Sequence, residues 1–406
     1  MSDTATPAQP VPDSPPLGVT LAILGISSLT VMANATIAPA LPGLRDYFAD
    51  TPGIETLAGL VVTLPSLFVV LTAGLFGVMA DRYDKRPLVM LSMALYALGG
   101  ASGLIADSMG SMLAGRVALG LGVSGTMTMA QAYVGTLWHG AARDRFAGYQ
   151  VAAMNFGGII FMTAGGFLAS VYWRLPFAIY SVSIPLMIFG WIMLGRVQGK
   201  VEATPRAADG SVPDEKFPWS AFFFVGPFAM ILMITFYALP TRLPFLLDER
   251  GIAGPMATGL ILSTATLVSI PGALSYGRIR RYVSAHAVVA VGFALMSVGI
   301  AVVALAPNIP MTVLGVAIAG APLGVMFPNF IALFFVLVPA PMRGRASGLL
   351  TTAIFGGQFI SPLVSGPLVH AFGLSGGLLA VAVLPALAAV AAGVSSVRAS
   401  QRRAPV

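Results

Sequence analysis

Charge is what this chain has least of: 9% of its 406 residues are Asp, Glu, Lys or Arg, where a water-soluble domain carries about 25%. A surface in water cannot be covered from so small a supply. With 57% hydrophobic residues, lipid is the solvent that suits the chain. Cysteine is absent, which excludes disulfides and thiolate metal sites. The three histidines, His139, His286 and His370, are scattered, which argues against a histidine-based metal site. HExxH and P-loop patterns are missing, so neither a metalloprotease-type catalytic site nor a built-in nucleotide motor is expected, and no cofactor. Residues 1–16 hold five prolines, Asp3 and Asp13 and no basic residue, unlike the positive start of a signal peptide; they read as a disordered cytoplasmic tail.

What is present is apolar runs. A membrane crossing needs about 20 mostly apolar residues. Twelve candidates follow one another at 17–41, 55–78, 87–106, 110–136, 147–170, 175–195, 219–246, 256–276, 284–306, 310–338, 346–370 and 374–397. Only helices and closed barrels satisfy the backbone in hydrocarbon, and these runs are too long and too uniform for barrel strands, which alternate over about 10 residues. The expected fold is an all-α polytopic membrane protein with twelve transmembrane helices.

Basic residues set the orientation. With both termini in the cytoplasm, 17 of the 22 Lys and Arg lie on that side, including Arg82, Lys85, Arg86, Arg143, Arg145, Arg343 and Arg345. The net charge of +7 is thereby a topology signal, and no nucleic-acid partner is needed to explain it. The charged stretch 196–218 divides the chain into six-helix halves, 17–195 and 219–397, with a short cytoplasmic tail at 398–406. A shift of 200 residues superposes eight of the 24 glycines between 17 and 195 on glycines of the second half, Gly59 on Gly259 and Gly166 on Gly366 among them. That is more than the glycine content of 219–397 supplies by coincidence. An even number of spans per copy gives two parallel repeats, the plan of alternating-access transporters.

The loop after the second span reads Gly77-Val78-Met79-Ala80-Asp81-Arg82-Tyr83-Asp84-Lys85-Arg86. This resembles the signature loop of the major facilitator superfamily. Arg116-x-x-x-Gly120 in span four resembles the corresponding motif of proton-driven antiporters in that superfamily, and Trp173-Arg174 precedes span six as it does there. The resemblance covers residues 17–397 and is strongest to twelve-span drug:proton antiporters and efflux permeases. Two departures stand out. Span five keeps Gly165-Gly166 without the preceding Gly-Pro of the antiporter signature, and in the second copy of the loop Arg281 falls where Asp81 stands in the first.

The resemblance implies a gate built from Gly77, Asp81, Arg82, Lys85 and Arg86, in which the Asp81 carboxylate latches a neighbouring helix end; a plain solvated cluster is the alternative. An anion at a helix N-terminus contributes about 0.3–1 kcal/mol, the right size for a reversible latch. Arg116 lies about 9 Å into its span, where an arginine usually faces a cavity or a partner. It is a candidate for proton coupling or solute binding, with Asn34 at similar depth in span one; a structural hydrogen-bonding arginine is the other reading. No carboxylate falls mid-span, which disfavours cationic solutes. Thr36, Gln131, Asn155, Tyr237, Asn329 and Gln358 are candidates either to line a cavity or to bond between helices. Arg242, between Pro240 and Pro244, reads as an interfacial arginine reaching outward. The function expected is secondary active export of a small lipophilic organic solute, neutral or anionic, by alternating access coupled to protons, from a monomer in the inner or plasma membrane. An importer or uniporter on the same fold, or a non-transporting sensor, are the competing readings.

Overall fold

The computed structural model describes residues 15–195, 197, 217–339 and 342–401, without the side chains of 34, 35, 141, 144 and 396–401. The expected linker 196–218 lies almost wholly outside the described residues, as does most of the expected tail at 1–16. Every regular element among the described residues is helical. The α-helices are α1 (Leu17–Ala35), α2 (Leu41–Tyr47), α3 (Ile54–Arg82), α4 (Lys85–Ala101), α5 (Met109–Leu137), α6 (Gly140–Val171), α7 (Ser183–Gly195), α8 (Trp219–Glu249), α9 (Pro255–Tyr282), α10 (Ala285–Leu305), α11 (Ile309–Gly320), α12 (Leu323–Leu337) and α13 (Arg343–Gln401). A 3₁₀ stretch, Leu175–Val182, leads into α7.

Among the described residues ten helical stretches are long and apolar enough to cross a membrane. The last runs 53 residues, Arg343–Ser395, and is broken by Gly373, whose φ of 71° no helix accommodates; it therefore makes two crossings. Helix α5 is 29 residues long but carries Arg116 and six glycines, so it is the least apolar candidate. Counted in, it gives twelve candidate crossings among the described residues, which fits the expected fold. Two spans differ from the expected shape. The first ends at Ala35 and resumes as a 3₁₀ turn and α2, at Pro39 and Pro42. The tenth divides into α11 and α12 at Pro322, which has no N–H to continue the ladder. Helix α6 begins at Gly140, seven residues before the expected 147.

The 200-residue offset seen in the glycines reappears in the elements. Lys85 and Ala285 both open helices, as do Met109 and Ile309. Their caps repeat as well. Asp84 accepts from the Arg86 N–H at 3.0 Å and Ser284 from Ala287 at 3.1 Å; Ser108 accepts from Ser111 at 3.2 Å and Asn308 from Met311 at 3.0 Å. Each cap satisfies a backbone donor that the first turn leaves open.

One buried apolar cluster runs from Ile26, Leu29 and Val61 across to Leu239, Leu243, Phe245 and Ile261 of the second half. A second, around Phe217, Phe293, Phe334 and Leu350, stays within the second half. First-half members of the shared cluster run the length of that half, from Leu44 to Ala80 and Leu88, whereas its second-half members, such as Leu243, Leu247 and Ile261, gather toward one end, and that asymmetry positions the site.

Candidate functional site

The halves meet along two seams, α3 against α13 and α6 against α9. Contact is tight in the part of each seam nearest the α1–α3 and α8–α9 loops. A Cβ on Gly59 would come within 2.7 Å of Pro362, and one on Gly166 within 2.8 Å of the Pro255 carbonyl and 3.1 Å of Gly259. Only glycine lets these backbones approach. Thr163 and Ser263 share a hydrogen bond of 3.3 Å, and the Ser66 hydroxyl donates to Gln358 Oε1 at 2.8 Å. At the other end of the same helices the packing is gone. A Cβ added to Gly74 or Gly77 in α3, Gly148 in α6, Gly277 in α9 or Gly344 or Gly348 in α13 would meet nothing within 4 Å. The gap between the halves opens toward the end that carries Asp81, Arg143 and Arg343.

Two arginines close the sealed end. Arg45, after the first span, makes ion pairs of 3.0 Å with Asp46 and with Asp248 at the end of α8. Arg242, expected to reach outward to the interface, is instead fully buried. Its Nε donates to Ser365 Oγ at 2.9 Å, Nη2 to the Pro362 carbonyl at 3.0 Å and Nη1 to the Glu55 carbonyl at 3.2 Å. The sequence misled because Arg242 looks unpartnered along its own helix; its acceptors lie on α3 and α13, more than 100 residues away. Pro362 cannot donate, and Pro362 and Ser365 sit on the face of α13 that Arg242 meets.

Arg116 is also fully buried, and it does not face the gap. Helices α4 and α5 approach so closely that a Cβ on Gly99 or Gly122 would overlap the opposing backbone. Across this contact Arg116 Nη2 donates to the carbonyls of Gly99 at 3.1 Å and Gly100 at 2.7 Å. Those are among the last four carbonyls of α4, which have no acceptor role inside the helix. The guanidinium sits over Phe177 at 4.9 Å and Tyr180 at 5.2 Å, on the 3₁₀ stretch that opens span six. Tyr96 and Tyr180 beside it donate to the Leu29 and Ala33 carbonyls of α1 at 2.9 and 2.8 Å. Arg116 thus ties span four to spans three and six. Arg174 plays a related part, donating to the Leu104 carbonyl at 3.1 Å and lying over Tyr47 at 4.6 Å.

The loop residues separate into two groups. Arg86 donates to the Trp191 carbonyl at 2.7 Å and lies over its ring at 3.6 Å, docking the start of α4 on α7. Asp81 and Arg82 are exposed, Lys85 is half-buried, and Gly77 faces the open gap. None of the ion pairs among the described residues involves Asp81.

Of the polar candidates, Gln358 bridges the halves through Ser66. Asn329 donates to the Ala285 carbonyl at 3.1 Å and holds α12 to α10, away from the gap. Thr36 donates to the Met32 carbonyl of its own helix at 2.6 Å. Asn155 and Tyr237 are half-buried. The side chain of Asn34 lies outside the described ones. Gln131 is exposed on α5 and donates to Gln150 Oε1 at 3.4 Å, while Gln150 Nε2 donates to Ser27 Oγ at 2.8 Å. Gln150 and Ser27 were not among the residues expected from sequence. With span five starting at 147, Gln150 reads as a residue of the helix end; only the earlier start of α6 places it ten residues inside. Among the described residues no group of His, Asp or Glu could hold a metal.

The fold has many structural relatives. The family model of the Major Facilitator Superfamily matches residues 23–362. The chain is 26% identical to the class C tetracycline resistance protein of Escherichia coli over 200 residues, which cover 49% of this chain and half of that protein. It is 24% identical to the sialic acid transporter NanX of Escherichia coli K12 over 358 residues, 82% of this chain and 84% of NanX. Among solved structures, a bacterial homologue of the lysosomal transporter Spinster, inward-facing and occupied, superposes with a TM-score of 0.76 over 93% of this chain and 96% of that one, at 17% identity.

Proposed function

The chain belongs to the Major Facilitator Superfamily, a multi-pass membrane transporter and not an enzyme, and from that premise we propose that it exports a small lipophilic organic solute, neutral or anionic, by alternating access coupled to protons. The observation that carries the reading is the asymmetry of the seams. The same pairs of helices are locked at one end, by Arg242 on the Glu55 carbonyl and Arg45 on Asp248, and parted at the other. A rocking transporter caught with one mouth open has this form. The basic loops favour the cytoplasm for the open end, with both termini on that side. On this reading Asp81, exposed here, latches a neighbouring helix end or arginine in the opposite state. Export is favoured by the resemblance to the tetracycline resistance protein and to a bacillibactin exporter of Bacillus subtilis, 24% identical over 164 residues. Proton coupling is favoured by the Arg116-x-x-x-Gly120 motif.

The test is flux in proteoliposomes under an imposed pH gradient, with wild type and Arg116→Ala. Gradient-driven movement that the variant loses while remaining folded supports coupling through Arg116. Movement indifferent to both removes coupling from the proposal. A second reading, uptake or facilitated passage of a polar metabolite, is favoured by NanX, whose match runs over 82% of this chain. Accumulation of solute in cells expressing the protein, against exclusion, separates the two.

A further inference from the structure

We propose that Gln131, Gln150 and Ser27 form a solute subsite in the open mouth that selects a neutral, planar hydrogen-bonding head group of the carboxamide type on an apolar body. The inference rests on the transporter reading above and deepens it. Gln131 is about 9 Å and Gln150 about 15 Å from the loop joining α5 to α6, inside the end where the halves are parted. Helix α5 packs on α1, α3 and α4. The exposed Gln131 stands on the face these partners leave uncovered. The chain Gln131 → Gln150 → Ser27, at 3.4 and 2.8 Å, crosses from α5 through α6 to α1. Ser27 in turn donates to the Ile23 carbonyl at 2.8 Å, so the chain is anchored at its buried end. Its outer end, the Gln131 carboxamide, keeps its oxygen and one N–H for a partner beyond the chain. That pair matches the donor and acceptor of another carboxamide.

The second half shows that the chain is not needed to hold six helices together. At the 200-residue offset Ser27, Gln131 and Gln150 correspond to Pro227, Ile331 and Leu350. The same helices pack there with Leu350 buried in an apolar cluster, and Ile331 is partly exposed on α12. One wall of the mouth is thus polar and uncharged where the other is apolar, an arrangement complementary to a neutral amphiphile. The in-span arginines do not alter that balance: Arg116 is turned to the ends of α4, and Arg242 is enclosed at the sealed end. A fixed neutral donor–acceptor site discriminates against an ion, whose water it cannot replace.

The experiment titrates the full chain in lipid nanodiscs with 4-butylbenzamide, 4-butylbenzoate and 4-butylbenzylammonium, which share a body and differ in head, using calorimetry and the unfolding midpoint. The amide binds about tenfold or more tightly than either ion. Gln131→Ile with Gln150→Leu, which installs the residues of the second half, removes the preference and leaves the ligand-free midpoint unchanged. A wild type that does not bind the amide, or binds an ion as well, or a double variant that retains the preference, overturns the subsite. Spin-label pairs on cysteines at Asp50 with Glu249 and at Tyr83 with Tyr282 in this cysteine-free chain test the transporter reading separately. If neither distance ever changes under a solute or pH gradient, the transporter reading fails; a chain that switches but shows no amide preference loses only the subsite.

Discussion

Arg242 of α8 donates to the backbone carbonyl of Glu55 in the first turn of α3, 3.2 Å away, and this bond joins two residues 187 positions apart. It is the point at which a buried cation of the second half is held by the first. The other two bonds of the guanidinium stay within its own half, on Ser365 and Pro362. If the sealed end parts as proposed, the bond to Glu55 is the one that must break.

Arg242→Leu is therefore expected to shift the protein toward the state open at the opposite end. A hydrogen bond to a charged group contributes about 1.5–3 kcal/mol, so the population ratio of the two states changes by about tenfold or more. Spin labels on cysteines at Asp50 and Glu249 report the sealed end, and labels at Tyr83 and Tyr282 the open one. The first distance lengthens and the second shortens. Unchanged distances in the variant would mean that the bond to Glu55 does not hold the closure.

The Arg45–Asp248 pair spans the same closure but is exposed, with side chains 26% and 46% accessible. Exposed ion pairs contribute about 0–1 kcal/mol and are screened by salt. Asp248→Asn is expected to move the same labels less than Arg242→Leu, with an effect that disappears in high salt. A double-mutant cycle with Arg45→Ala isolates the pair.

Much of this architecture could be read from sequence because apolar length and basic loops are one-dimensional signals. The crossings, the loop motif and the 200-residue repeat are of that kind. Spacing along one helix says nothing of which neighbour a side chain meets. Arg116 and Arg242 looked alike as isolated charges in apolar runs. One turned out to hold carbonyls of α4, the other carbonyls of α3 and α13. Asn329 could not be told apart from a cavity residue until the end of α10 was seen beside it. Gln150 was hidden by a helix start misplaced by seven residues, since Arg143 and Arg145 interrupt the apolar pattern without interrupting the helix.

Arg116→Ala separates a packing role from a coupling role. The variant removes the side-chain donor of the Gly100 carbonyl, leaves the Gly99 carbonyl only the Ser102 hydroxyl at 2.8 Å, and removes a cation from the C-terminal end of α4, a place where the helix dipole favours one. The expected outcome is a lowered unfolding midpoint together with lost flux. Arg116→Lys keeps the charge but not the fork that spans two acceptors, and is expected to recover stability in part. If Arg116→Ala keeps the wild-type midpoint and loses only gradient-driven flux, the arginine acts in coupling and the packing role is secondary.

Glycines at the two ends of the seams predict opposite responses to alanine. Alanine favours a helix by about 1 kcal/mol over glycine where space allows. At Gly166 space does not allow: the new methyl would press on the Pro255 carbonyl at 2.8 Å and on Gly259 at 3.1 Å, so the sealed end is pushed apart. At Gly77 nothing lies within 4 Å in this state, and Gly77→Ala is expected to leave stability unchanged or slightly raised here. The proposed alternating cycle, however, would bring the Gly77 end of α3 against α13 in the opposite state, where the methyl would obstruct closure. Both variants should then lose transport, with labels trapped in opposite directions: Gly166→Ala open at the Arg45 end, Gly77→Ala open at the Asp81 end. If Gly77→Ala transports at the wild-type rate, that end of α3 does not close by glycine contact, and the rocking motion proposed for the halves must use another seam.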